Sequence, residues 1–140
     1  MAGSTASGVR ATGRCLCGAV AYRVHGPLRD VVNCHCQQCR RTHGHTAAYS
    51  RARRVDLVMT ETRGLTWYRS SETARRGFCR ECGASLFWDP LDGDSMAIAA
   101  GSIDAPTGLK TIRHIFVADK GDYYDIADGL EQLLKGHTPS

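Results

Sequence analysis

Short runs of apolar and β-branched residues alternate with turn-forming residues along most of the chain. One such run consists of Val31 and Val32, followed by Asn33 and Cys34. Such runs, bounded by Gly, Pro and Asp, are typical of strands in a mainly β domain. The other expected strands cover residues 20–24, 46–50, 65–69, 85–88, 96–100 and 112–117. We therefore predict a mainly β fold of short, mostly antiparallel strands.

Helix signals in the sequence are weak. Residues 37–42 are expected to form one turn, and residues 126–134 at most a short amphipathic stretch. The length of 140 residues and the apolar content of 42% suit one compact domain. We place that domain at residues 13–135, after a disordered leader over 1–12 and before a tail over 136–140.

Composition excludes several partners. No apolar run approaches the roughly 20 residues of a membrane helix, and residues 1–12 lack the apolar block of a signal peptide. We therefore expect a cytoplasmic protein with no membrane partner. The formal charge is +4, and the one tight basic cluster is Arg51, Arg53 and Arg54. Nucleic-acid binding needs a denser basic stripe, so we expect none.

The seven cysteines change this picture. An odd number excludes a fully paired disulfide framework, and disulfides do not persist in a reducing compartment. Metal binding and thiol chemistry are the remaining reasons for so many cysteines. They form a C-x-C-G at residues 15–18, a C-x-C-x-x-C at residues 34–39 and a C-x-x-C-G at residues 79–83.

The last motif has the form of a zinc knuckle. Two residues between Cys79 and Cys82 let both sulfurs face one ion at about 2.3 Å, and Gly83 permits a positive φ. A redox pair shares the C-x-x-C spacing. That alternative needs a helix start in an α/β setting, whereas β-rich sequence flanks this motif, so metal binding is favoured.

Ligand counting divides the cysteines into two sites. A structural zinc takes four protein ligands, which the two flanking motifs supply, whereas three ligands with one open position are typical of a catalytic zinc. In the alternative, His35, His43 or His45 closes the central site. The four-ligand set is Cys15, Cys17, Cys79 and Cys82, and the three-ligand set is Cys34, Cys36 and Cys39.

Nearly the whole chain resembles the glutathione-dependent formaldehyde-activating enzyme family, which includes the domain of centromere protein V. The resemblance lies in residues 13–20, 34–41, 78–83 and 86–88, and in a C-terminal signature at 114–120 and 124–125. It implies a β-tent zinc-binding fold with two zinc ions per chain, held by the same two cysteine sets. It also implies condensation of glutathione with formaldehyde to S-(hydroxymethyl)glutathione, which is carbon–sulfur lyase chemistry in reverse.

That chemistry needs a proton donor and groups that hold the substrate. His35 is the nearest donor by sequence, with His43, His45 and His114 as further candidates. Glutathione carries two carboxylates, which Arg40 and Arg41 are placed to grip. The expected partners are thus a small thiol such as glutathione and a small aldehyde, and the oligomeric state stays open.

Two other functions compete with an enzyme. In the first, both zinc ions only hold a scaffold that binds a protein partner. The second, chromatin association, follows from the centromere-protein relatives, but the chain lacks a basic tail. The fourth ligand of the Cys34, Cys36 and Cys39 site separates enzyme from scaffold, because a protein ligand there would close it.

Overall fold

The computed structural model describes residues 8–136, which are mainly β, with 40% strand and 12% helix. Within this part the helices are α1 (Gln37–His43) and three single 3-10 turns, Arg54–Asp56, Ala100–Ser102 and Val117–Asp119. The strands are β1 (Ala11–Arg14), β2 (Ala21–Val24), β3 (Val31–Cys34), β4 (Ala47–Arg53), β5 (Leu57–Glu61), β6 (Leu65–Arg69), β7 (Arg75–Cys79), β8 (Ser85–Asp89), β9 (Ser95–Ala99), β10 (Thr111–Ile115) and β11 (Glu131–Gln132).

The chain forms two compact units, and their boundary falls within β4. The first contains residues 8–29 and 50–108, and the second contains residues 30–49 and 109–136. β1 begins at Ala11, two residues before the domain start that we expected at Gly13. Residues 1–7 of the expected leader and 137–140 of the expected tail lie outside the described part of the chain.

Antiparallel strands build the first unit. β1, β2 and β5 form a three-stranded sheet, while β6 to β9 pair in sequence order. The β2 sequence alternates, so Tyr22 and Val24 are buried while Arg23 points outward. The ring of Tyr22 meets Phe87 edge-on at 5.5 Å, and both Leu86 and Phe87 of β8 are fully buried. These buried side chains contribute to the core of this unit.

The expected mainly β fold of mostly antiparallel strands is confirmed, and the second unit adds two parallel pairs. β3 and β4 are antiparallel, but β10 runs parallel to both β3 and β11. Parallel neighbours need a long crossover, and here residues 35–110 connect β3 to β10. This pairing places His114 beside Asn33 and Ile115 beside Cys34.

The single α-helix follows β3 directly. Cys36 is its N-cap, and Gly44 ends it in the left-handed conformation with φ 80°. The one turn expected over residues 37–42 is thus confirmed and continues to His43. No helix forms over residues 126–134; a turn in which the Leu130 N–H donates to Asp128 leads instead into β11. None of the described helices has the length and apolarity to cross a membrane.

Candidate metal centres and the adjoining hydrogen-bond chain

Four cysteines of the first unit form one cluster. The sulfurs of Cys15, Cys17, Cys79 and Cys82 all lie within 4.8 Å of one another. The Cys15–Cys17 and Cys17–Cys79 sulfurs are each 3.8 Å apart. Four sulfurs placed tetrahedrally at about 2.3 Å from one ion are separated by roughly 3.8 Å. The spacing therefore fits a tetrahedral metal ion such as zinc.

Backbone N–H groups around this cluster donate hydrogen bonds to the cysteine sulfurs. The Val20 N–H donates to Cys15 Sγ at 3.3 Å, and the Cys82 N–H donates to Cys79 Sγ at 3.4 Å. Gly83 adopts φ 80°, the conformation expected for the residue after the C-x-x-C motif. Such donors stabilise negative sulfur, as a ligand to a cation requires.

The second unit holds the three-cysteine cluster. Cys34 ends β3, Cys36 caps α1 and Cys39 lies in the first turn, so one short helix start brings the three sulfurs within 4.8 Å of one another. The Cys39 N–H donates to Cys36 Sγ at 3.2 Å. Cys34 and Cys39 are buried. The donor set is all sulfur, which suits zinc among the common metals.

None of the candidate histidines belongs to this cluster. Among the described residues, no imidazole or carboxylate has a ligand atom within 4.8 Å of all three sulfurs. His43 Nε2 lies 2.9 Å from the Tyr49 hydroxyl, and His45 Nδ1 lies 2.7 Å from the Tyr123 hydroxyl. Each of these two rings has a phenol partner.

His35 lies between two partners of its own. It is 2% exposed, with Nδ1 at 2.5 Å from the Tyr124 hydroxyl and Nε2 at 2.8 Å from His114 Nδ1. Burial, and next the charge of His114, lower the pKa of His35 to about 4. The ring is therefore neutral near pH 7.

The chain of hydrogen bonds continues beyond His35. His114 is 4% exposed, and its Nε2 lies 2.8 Å from Asp128 Oδ2. The Leu130 N–H, together with His114, holds the pKa of Asp128 below its usual value. Four side chains are thus connected in the order Asp128, His114, His35 and Tyr124.

Arg40 and Arg41 differ in their placement. Arg40 Nε is buried and has no hydrogen-bond partner among the described residues. Burial raises the pKa of Tyr124, whereas the Gly121 N–H and, to a smaller extent, the charge of Arg40 act to lower it. Arg41 is exposed. Of the two arginines, Arg40 is therefore the one with a buried donor that lacks a partner among the described residues.

Tyr124 and Asp128 were not among the site residues predicted from the sequence. His114 was one of several histidine candidates, but its contact with His35 depends on the pairing of β10 with β3. The one sequence signal that could have pointed to Tyr124 is its position in segment 124–125, which resembles the family's C-terminal signature.

These features define a class: a small β-rich protein with two cysteine clusters whose spacing can hold metal ions. The sequence profile of the glutathione-dependent formaldehyde-activating enzyme family matches residues 10–119. The chain belongs to this family.

Individual relatives are distant. A Halomonas elongata protein named as a candidate glutathione-dependent formaldehyde-activating enzyme is 29% identical over 129 residues, covering 81% of this chain and 79% of the relative. An uncharacterised lyase of Schizosaccharomyces pombe is 28% identical over 118 residues, covering 83% and 85%. A crystal structure of a Rhodobacter sphaeroides protein matches with a TM-score of 0.56 at 30% identity, covering 71% of this chain and 97% of that one.

Proposed function

We propose that the chain is a zinc-dependent carbon–sulfur lyase-type enzyme that joins glutathione, or a similar thiol, to a small aldehyde such as formaldehyde. The observation that carries this proposal is the cluster of Cys34, Cys36 and Cys39, which has three ligands and no fourth from the described residues. Three protein ligands and one exchangeable position are the pattern of catalytic zinc. Family membership and the lyase name of one relative support the same reaction class.

The two clusters take different roles in this proposal. Cys15, Cys17, Cys79 and Cys82 hold a structural zinc, because four thiolates close its coordination. Cys34, Cys36 and Cys39 hold the second. A zinc ion held there would stabilise a bound thiol as the thiolate, the nucleophilic form. Free cysteines in both sets fit a reducing compartment such as the cytoplasm.

Arg40 supplies recognition in this scheme. Its buried Nε has no partner among the described residues, and a guanidinium binds a carboxylate through paired hydrogen bonds. Glutathione carries two carboxylates, and one of them offsets the cost of the buried donor. The structure gives Arg41 an exposed position, so we assign it the weaker role of attracting the anionic substrate.

The test is a titration of cobalt-loaded protein with glutathione. Each thiolate added to cobalt changes its charge-transfer and d–d absorption, so a saturable change reports a thiol at the three-cysteine site. Cys39→Ser is the control and should abolish the change. A spectrum that ignores glutathione and other small thiols, but shifts when His43 or His45 is replaced, would show a site closed by histidine. The scaffold function would then replace the enzyme.

A further inference from the structure

The structure assigns the proton exchange with the substrate to the hydroxyl of Tyr124, with His35, His114 and Asp128 as its positioning residues. This inference rests on the proposed thiol–aldehyde chemistry. Tyr124 thereby becomes the catalytic residue, in place of His35, the nearest proton donor by sequence.

The contacts of His35 exclude it from direct contact with substrate. Its Nδ1 and Nε2 are both engaged, by Tyr124 and His114, and the residue is 2% exposed. Tyr124 is only partly buried, and its oxygen keeps a lone pair beyond the one that accepts from the Gly121 N–H. Cys34 and Arg40 both lie close enough for their charges to act on Tyr124. The phenol is therefore one hydrogen bond away from His35, the residue between Cys34 and Cys36 of the three-cysteine cluster.

The Asp128 carboxylate determines which atom donates and which accepts in each hydrogen bond from Asp128 to Tyr124. An ionised Asp128 can only accept, so His114 donates from Nε2 and its Nδ1 must accept. The His35 Nε2–H then donates to His114, which leaves His35 Nδ1 as the acceptor of the Tyr124 O–H. Asp128 thus sets the tautomers of both rings and the direction of the phenol proton.

With these donors and acceptors, the protons and electrons balance when a thiol adds to an aldehyde. The S–H proton passes to the Tyr124 oxygen while the phenol proton moves to His35 and the His35 Nε2 proton moves to His114. The His114 imidazolium is then paired with Asp128. A sulfur electron pair forms the C–S bond, the C=O π pair becomes an oxygen lone pair, and the reverse shift returns the proton to that oxygen. No electrons are gained or lost.

Activity tests Tyr124 directly. Exchange NMR at equilibrium measures how fast ¹³C-formaldehyde interconverts with its glutathione adduct on the zinc-loaded protein. Tyr124→Phe should lower kcat about 100-fold or more, the usual size of general acid–base catalysis, while KM and the cobalt response to glutathione persist. Tyr123→Phe is the matched control, because its hydroxyl bonds to exposed His45. It should exchange at the wild-type rate.

Nitrogen NMR tests the positioning residues independently of activity. In ¹⁵N-histidine protein, the Nε2 atoms of His35 and His114 should carry the protons and the Nδ1 atoms should not. Asp128→Asn can donate from its amide to His114, so both tautomers should invert. Asp128→Glu should restore the wild-type pattern, and Asp125→Asn, an exposed carboxylate on the same segment, should leave it unchanged.

Two results overturn the role of Tyr124 while the proposed function stands: wild-type exchange rates in Tyr124→Phe, or protons on the Nδ1 atoms in the wild type. Failure of the cobalt spectrum to respond to any thiol contradicts the proposed function itself. A wild-type protein that binds glutathione without accelerating exchange overturns both the enzyme and the role of Tyr124.

Discussion

Gly64 packs directly against the sulfur of Cys79. A Cβ added at Gly64 would lie 2.7 Å from Cys79 Sγ and 2.9 Å from the Cβ of Ala19. Both backbone polar groups of Gly64 are hydrogen-bonded: its N–H donates to the Ala19 carbonyl, and its carbonyl accepts from the Arg80 N–H. These bonds keep the main chain from moving away.

Gly64→Ala should therefore displace a ligand of the four-cysteine cluster. We expect a loss of about 2 kcal/mol in the free energy of unfolding, the usual cost of overpacking, and faster zinc release to a chelator. Denaturant melts and a chromogenic chelator measure the two effects. Gly101→Ala, where nothing lies within 4 Å of the added Cβ, is the matched control. Equal stability and zinc release in the two variants would contradict this packing.

The two cysteine clusters should respond differently to loss of a ligand. Metal-replete protein should hold two zinc ions per chain by elemental analysis. Cys17→Ser should prevent folding, because binding of a structural zinc contributes on the order of 10 kcal/mol to folding. Cys39→Ser should fold and retain one zinc. Equal losses of melting temperature in the two variants would contradict the division into structural and catalytic-type sites.

The sequence predicts local features of this fold well. Each of the three cysteine motifs has a short spacing, and β2, β6 and β8 each show the expected apolar or alternating pattern. β1, β5 and β7 were missed; Ala11–Arg14 lacks a large apolar residue, and Arg75–Cys79 starts with two arginines. Pairing with neighbouring strands, rather than their own composition, makes these segments β.

The hydrogen-bond chain could not be predicted for a related reason. It depends on the parallel pairing of β10 with β3, which places His114 next to a residue far away in the sequence. The difference between Arg40 and Arg41 depends on how a helix of 7 residues is oriented, and so short a helix has too little apolar periodicity to fix that orientation.

Asp89 should stabilise the first unit as an anion. It is 1% exposed and accepts from Arg54 at 2.6 Å, Arg75 at 2.9 Å and the Leu91 N–H at 2.8 Å. Burial alone would raise the pKa of Asp89, but these donors outweigh it and the pKa is lowered. Its contribution is therefore present above the unfolded pKa of about 3.9. It is lost as the pH falls through the lower folded value.

Asp89→Asn should lower the free energy of unfolding by about 2 kcal/mol, the worth of hydrogen bonds to a charged group. Both arginines are about one-third exposed, with side chains at 30% and 38%, so the full cost of a buried pair does not apply. Denaturant melts at pH 7.5 and pH 5.5 should give the same difference, because Asp89 stays ionised at both. Asp94→Asn, at an exposed position, is the control. A difference that shrinks at pH 5.5 would contradict a lowered pKa.

Arg40 should discriminate thiols that carry a carboxylate from those that do not. Its buried Nε has no hydrogen-bond partner among the described residues, and its charge reaches Tyr124. Arg40→Ala should weaken glutathione binding to the cobalt-loaded protein roughly 30-fold, which corresponds to about 2 kcal/mol for a charge-assisted hydrogen bond. The affinity for 2-mercaptoethanol, which has no carboxylate, should stay unchanged.

The comparison of two thiols separates recognition from damage to the metal cluster. Arg40 lies next to Cys39 in sequence, so a distorted cluster would weaken both thiols equally, whereas a lost carboxylate contact weakens glutathione alone. Arg41→Ala removes the same charge from an exposed position on the same helix. It should change glutathione affinity only through long-range attraction, an effect that disappears at high salt. Equal, salt-independent losses in Arg40→Ala and Arg41→Ala would assign the carboxylate contact to both residues and remove the distinction that burial predicts.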